Sequence, residues 1–167
     1  MAVIFLDFDG VINAVSGKPP TNLHPKETWK QTICTEKKDY PIMYSTVVVD
    51  FINELSKTND IYWLTTWRSY THQFEEKLGL VELPYIDEEG LPVVDGEWWK
   101  LTVARDFIKE HVDADEKIVW IDDDLRYSRS KEAHALGQYN ILYVGPAMQH
   151  GLSIKEMRQI KEFCEEG

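Results

Sequence analysis

The opening segment constrains the fold most. Ala2 to Phe8 is an apolar run that meets no alternating polar residues before Asp7, and Asp7-Phe8-Asp9-Gly10 interrupts it at its C-terminal end. A strand without polar alternation must be covered on both faces, which antiparallel sheets with one wet face do not provide. Ile61 to Leu64, Ile118 to Ile121 and Tyr139 to Val144 repeat the pattern. They run into Thr65-Thr66-Trp67-Arg68, Asp122-Asp123-Asp124 and Gly145-Pro146 respectively.

Helical stripes separate these strands. Thr46 to Lys57 carries Val48, Phe51, Ile52 and Leu55 on one side, and a second helix runs through Phe74, Lys77 and Leu78 until Gly79 stops it. Leu101 to His111 offers Ala104, Phe107 and Ile108. The last helix opens with Ser153 and Glu156 at capping-box spacing and carries Ile154, Met157, Ile160 and Cys164. Leu83 to Ile86 and Leu91 to Val94 flank an acidic turn and read as a strand or short hairpin. This order predicts right-handed crossovers and a three-layer α/β/α sandwich around a mainly parallel, Rossmann-like sheet. In such sheets ligands bind beyond the C-terminal strand ends. Asp7/Asp9, Thr65/Thr66 and Asp122/Asp123 all fall there.

The stretch from Asn13 to Tyr44 holds Gly17, Pro19, Pro20, Pro25 and Pro41. Prolines remove donors from regular ladders, so a flap with at most short elements is expected over residues 13–44. Neither this stretch nor Leu80 to Trp99 is long enough for a separately folded cap, so no large cap domain is expected. One domain over residues 1–167 accommodates the whole chain. The site should then be open, which favours a large phosphorylated partner or requires a homo-oligomer to shield a small one.

With 29 acidic against 18 basic residues, the net charge of −11 opposes tracking along a polyanion. A phosphorylated end reaching the pocket through a cation is still compatible with that field. The two cysteines, Cys34 and Cys164, form no CxxC pair and fit a reducing, cytoplasmic compartment. The start has no basic region resembling a signal peptide, and no stretch approaches transmembrane length, so no membrane partner is expected.

Each cluster has a structural and a chemical reading. Asp7 and Asp9 suit an Asp-Gly turn, or a pair in which one carboxylate attacks while the other manages a proton. Asp122 to Asp124 can cap a helix, but a buried strand delivers them to the sheet edge, where crowded oxygens call for a proton or a hard cation such as Mg2+. Thr65 can cap the next helix or bind an anion. Lys100 is a solvated lysine or, at the same rim, a counterion that steadies a phosphoryl group. Trp67, Trp98 and Trp99 fit core packing or base stacking.

Together these motifs resemble those of the haloacid dehalogenase-like (HAD) hydrolase superfamily: DFDGV from Asp7 to Val11, IYWLT from Ile61 to Thr65, EWWKLT around Lys100, and IVWIDD from Ile118 to Asp123. The resemblance implies that Asp7 is the nucleophile and a magnesium ligand. Asp9 would be the general acid/base and lend its backbone carbonyl to the metal. Thr65 would bind the transferring phosphoryl group, and Lys100, with Arg105 as the other candidate, would steady it. Asp122 and Asp123 would complete the metal site. LDFDGV, WLTTWR and WIDD together further resemble small HAD-like domains associated with RNA repair proteins. That implies magnesium-dependent phosphomonoester hydrolysis through an aspartyl-phosphate, on phosphate-terminated RNA or DNA. The alternatives are a small-molecule or nucleotide phosphatase and a non-catalytic magnesium-binding module.

Overall fold

The computed structural model describes residues 1–91 and 94–166. In chain order its elements are β1 (Ala2–Leu6), β2 (Trp29–Glu36), β3 (Lys38–Ser45), α1 (Thr46–Leu55), β4 (Asp60–Trp63), α2 (Gln73–Leu78) and α3 (Trp99–His111). There follow β5 (Lys117–Ile121), α4 (Asp124–Tyr127), α5 (Ser130–Ala133), β6 (Asn140–Val144) and α6 (Ile154–Glu165). Four strands form a parallel sheet in the order β4-β1-β5-β6.

Register explains why the polar strand ends share a rim. Leu6 pairs with both Trp63 and Ile121, and Ile121 pairs with Val144, so the strands finish level. The ladder continues one residue further: Asp7 donates to the Ile121 carbonyl at 3.0 Å, Leu64 to Leu6 at 2.9 Å and Asp122 to Val144 at 3.0 Å. Chain entering the rim beyond these bonds carries Asp7, Thr65 and Asp122.

The period of two along β1 divides the core. Ala2, Ile4 and Leu6 pack with Val48 and Ile52 of α1, Phe74 of α2 and Ile160 of α6. Val3 and Phe5 pack on the opposite face with Leu101, Ala104 and Ile108 of α3 and Trp120 of β5. Burying each such side chain contributes roughly 1.5–3 kcal/mol, far more than the helical propensity of the β-branched run in α1. Helix ends follow the local sequence: Ser45 Oγ accepts from Val47 N at 3.2 Å, Gly79 ends α2 with φ 79°, and Ser153 and Glu156 form the expected capping box. Among the described residues no separate cap forms, and no helix is long and apolar enough to cross a membrane.

Residues 13–44 depart from the expectation. They hold the eight-residue strand β2 and all but the last residue of the equally long antiparallel β3, turning at Lys37 with φ 60°. Pro19, Pro20 and Pro25 precede the ribbon, and Pro41 lies inside it opposite Ile33. Pro41 costs no rung. The Met43 N–H, two residues on and therefore on the same edge, points away from β2 and donates to Asn13 Oδ1 at 2.9 Å. One face of the ribbon buries Cys34, Ile42 and Tyr44 against the core, which repays its ordering.

Leu83 to Ile86 forms no strand of its own but lies beside β4, where Trp63 N donates to Pro84 O at 2.8 Å and Ile86 N to Trp63 O at 2.9 Å. The companion segment from Leu91 to Val94 includes residues 92 and 93, which lie outside the described residues.

Candidate active site

Phe8 shapes the loop after β1. Its ring is fully buried, stacked on Phe74 with centroids 3.7 Å apart and set edge-on to Trp63 and Trp67. With Phe8 anchored inward, Asp7 and Asp9 are held at the rim on either side of it. The Phe8 carbonyl accepts from Val11, Ile12 and Asn13, which closes a tight turn. Gly10 makes the turn possible: its φ is +78°, and a Cβ there would lie 2.4 Å from Asp123 Cγ.

Asp7, Asp122 and Asp123 each bring a carboxylate oxygen within 4.8 Å of the others, and all three are buried. Lys100 reaches them from the first turn of α3. Its Nζ, on a residue only 3% exposed, lies 2.5 Å from Asp122 Oδ2 and 3.3 Å from Asp7 Oδ2. The remaining oxygens are partly satisfied, Asp7 Oδ1 by Phe8 N at 2.8 Å and Asp122 Oδ1 by Asp124 N at 2.9 Å. When all are ionised, three carboxylates face one ammonium, leaving the site two positive charges short.

That shortage appears in the proton affinities. Burial, reinforced by Asp7, holds Asp122 well above the ordinary carboxylate range. Burial also raises Asp7, against the pull of Lys100. Asp123 is pushed up to about 7, by burial first and then by Asp7 and Asp124. Burial alone would lower Lys100, but Asp7 and Asp122 outweigh it and the lysine stays protonated, with its pKa raised.

Thr65, 4% exposed, accepts from Trp67 N at 3.3 Å through Oγ1, so its hydroxyl hydrogen is left to donate elsewhere. The expected helix cap does not form: the helical turn over Arg68–His72 has Trp67 at its N-cap with no side-chain cap bond, and α2 begins only at Gln73, so Thr65 closes a local turn instead. The Asp9 carboxylate stands outside the group of three and accepts from Asn13 Nδ2 at 2.8 Å and Trp67 Nε1 at 2.9 Å. Arg105 is engaged elsewhere, paired with Glu97. Two of the three candidate stacking tryptophans are core residues, since Trp67 and Trp98 are buried and Trp98 stacks on Trp120 at 5.3 Å. Only Trp99 of these is half-exposed, under the Arg68 guanidinium at 5.0 Å.

Sequence reasoning overlooked Asn13 as a site residue and read Trp67 only as a helix start or stacking residue. An amide four residues after Asp9 was the available signal. Beside Asn13, a cleft of about 810 Å3 opens between residues 13–17 and the hairpin, lined also by Gln31, Ile33, Met43 and Lys77.

A parallel sheet flanked by helices, with buried carboxylates, a lysine and a hydroxyl gathered at its C-terminal rim, defines a Rossmannoid α/β protein with a site suited to a metal ion. The chain belongs to the family described as the HAD domain in Swiss Army Knife RNA repair proteins, whose model matches residues 3–156. That family points to phosphoesterase-type hydrolysis. Neither the curated proteins nor the solved structures contain a match to the chain.

Proposed function

We propose that the protein is a magnesium-dependent phosphomonoesterase acting on phosphate-terminated nucleic acid. The observation that carries this reading is the buried Lys100 ammonium bridging Asp7 and Asp122 beside Asp123. Its charge deficit suits a divalent cation, and an all-oxygen donor set suits a hard one such as Mg2+. The carboxylates of Asp7, Asp122 and Asp123, with the Asp9 main-chain carbonyl, would hold that ion. When bound, it supplies positive charge to the phosphate oxygens.

The chain's own groups account for the remaining chemistry. An Asp7 carboxylate oxygen attacks phosphorus, forming an aspartyl-phosphate as the bond to the leaving oxygen breaks. Asp9 delivers a proton to that oxygen, then accepts one from the water that hydrolyses the intermediate. Lys100 and the Thr65 hydroxyl neutralise and orient the phosphoryl oxygens. The family's association with RNA repair proteins supports a nucleic-acid end as the source of the phosphate.

Phosphate release should be measured from phosphate-terminated oligoribonucleotides and oligodeoxyribonucleotides and from free nucleotides, with magnesium and with chelator. Magnesium-dependent release that favours oligonucleotides and disappears in Asp7→Asn is expected. A preference for free nucleotides would make the protein a small-molecule phosphatase instead. Magnesium binding without turnover of any substrate would reduce it to a binding module.

A further inference from the structure

Asp9 is held by two side chains to which neither reading of the motifs gave a role at this carboxylate. Asn13 donates to Asp9 Oδ1 at 2.8 Å, and the Trp67 indole donates to Oδ2 at 2.9 Å. Two donors on separate segments fix both torsions of a short side chain, so the carboxylate has one orientation. The donors are themselves buried, with Asn13 7% and Trp67 3% exposed.

Strand β3 braces both donors. Met43 N donates to Asn13 Oδ1 at 2.9 Å, while Ala14 N donates to Met43 O at 2.8 Å. With its oxygen taken by Met43, the Asn13 amide must present its NH2 group to Asp9; the flipped amide would place oxygen against carboxylate. On the other side, Tyr40 of β3 packs edge-on to Trp67 with centroids 5.6 Å apart. Phe8 and Phe74 hold the same indole at 5.9 and 5.5 Å. A phenylalanine at position 67 keeps an aromatic ring among these neighbours, but it is smaller and lacks the N–H that meets the carboxylate.

We propose that Trp67 and Asn13 are positioning residues for Asp9, aiming its carboxylate at the leaving oxygen, and that the β2-β3 hairpin sets this aim through Met43 and Tyr40. The inference rests on the leaving-group role of Asp9 proposed above. It gives the hairpin a task beyond covering the site: a displaced hairpin would misdirect the proton donor while the acidic cluster stayed intact.

The test has two arms. In the first, 15N-labelled metal-free protein is examined by NMR, with the Trp67 indole resonance assigned by its disappearance in Trp67→Phe. That resonance should shift in Asp9→Asn and in Asn13→Asp, the latter keeping an acceptor for Met43 N but turning an acceptor towards Asp9. In the second arm, turnover of a poor alkyl phosphate and an activated aryl phosphate is compared for Trp67→Phe, Asn13→Asp and Asp9→Asn. Trp67→Phe should lower kcat on the alkyl ester by about tenfold to a hundredfold, the range for losing a hydrogen bond to a charged group, with KM retained and a smaller loss on the aryl ester. Equal losses on both substrates in Trp67→Phe, alongside a leaving-group-dependent loss in Asp9→Asn, would overturn the positioning role. If Asp9→Asn itself shows no leaving-group dependence, the acid role of Asp9 falls, and the indole resonance alone decides the clamp. A shift would sustain it, and an unmoved resonance would overturn it.

Discussion

Gly10→Ala tests how tightly the turn after β1 is built against the acidic cluster. Its Cβ would lie 2.4 Å from Asp123 Cγ, 2.6 Å from Oδ2 and 2.8 Å from Cβ, where ordinary contacts begin at 3.4 Å. The Asp123 carboxyl would therefore have to retreat by roughly 1 Å, a displacement that costs on the order of a hundredfold in a catalytic site. Side-chain rotation cannot relieve the contact with Asp123 Cβ. The backbone is also constrained, because Asp123 O accepts from Arg126 N at 3.0 Å at the start of α4. Placing alanine at φ +78° adds about 1–2 kcal/mol, and overpacking a further 1–3 kcal/mol or so. A total loss of about 2–5 kcal/mol in urea unfolding is expected, together with weakened magnesium binding by calorimetry. Repeating the substitution in an Asp123→Gly background removes the contact and should leave only the backbone penalty of about 1–2 kcal/mol. An equal penalty in both backgrounds would show that Asp123 does not crowd Gly10, and the reasoning would fail.

Lys100→Met should destabilise the metal-free protein by about 3–5 kcal/mol at pH 8, because two buried carboxylates lose their counterion. Urea midpoints with and without magnesium check this, and an unchanged midpoint would mean that the acids stay neutral without the lysine. Metal-free stability should also depend on pH through Asp123, whose pKa in the folded state, about 7, lies above the unfolded value. A raised acid stabilises the fold below its unfolded pKa of about 4 and loses that contribution as pH rises through about 7, up to a ceiling of about 4 kcal/mol. Thermal melts from pH 4 to 8 should show the fall for wild type, a smaller one for Asp123→Asn, and recovery on adding magnesium at pH 8.

The sheet and its rim were legible in the sequence because their signals are local. Apolar runs such as Ile118 to Ile121 can be covered on both faces only in a parallel sheet between helices, and the polar residue following each run must emerge at the strand end. Gly79 and the Ser153–Glu156 box mark helix ends through main-chain chemistry that needs no distant partner. The hairpin was hidden because Pro41 argues against a strand unless its edge faces away from the partner, and only docking on Asn13 and α2 establishes that. Tertiary structure also decided between the two basic candidates: Lys100 and Arg105 are close in sequence, but one is buried between Asp7 and Asp122 and the other pairs with Glu97. The tryptophans were likewise ambiguous, since an indole serves a core or a surface equally well until its neighbours are known. Asn13 and Trp67 meet Asp9 through a loop turn and a neighbouring strand end, and such a meeting has no periodicity to betray it. Strand period and helix caps are properties of adjacent residues, whereas the hold on Asp9 exists only once three segments have folded together.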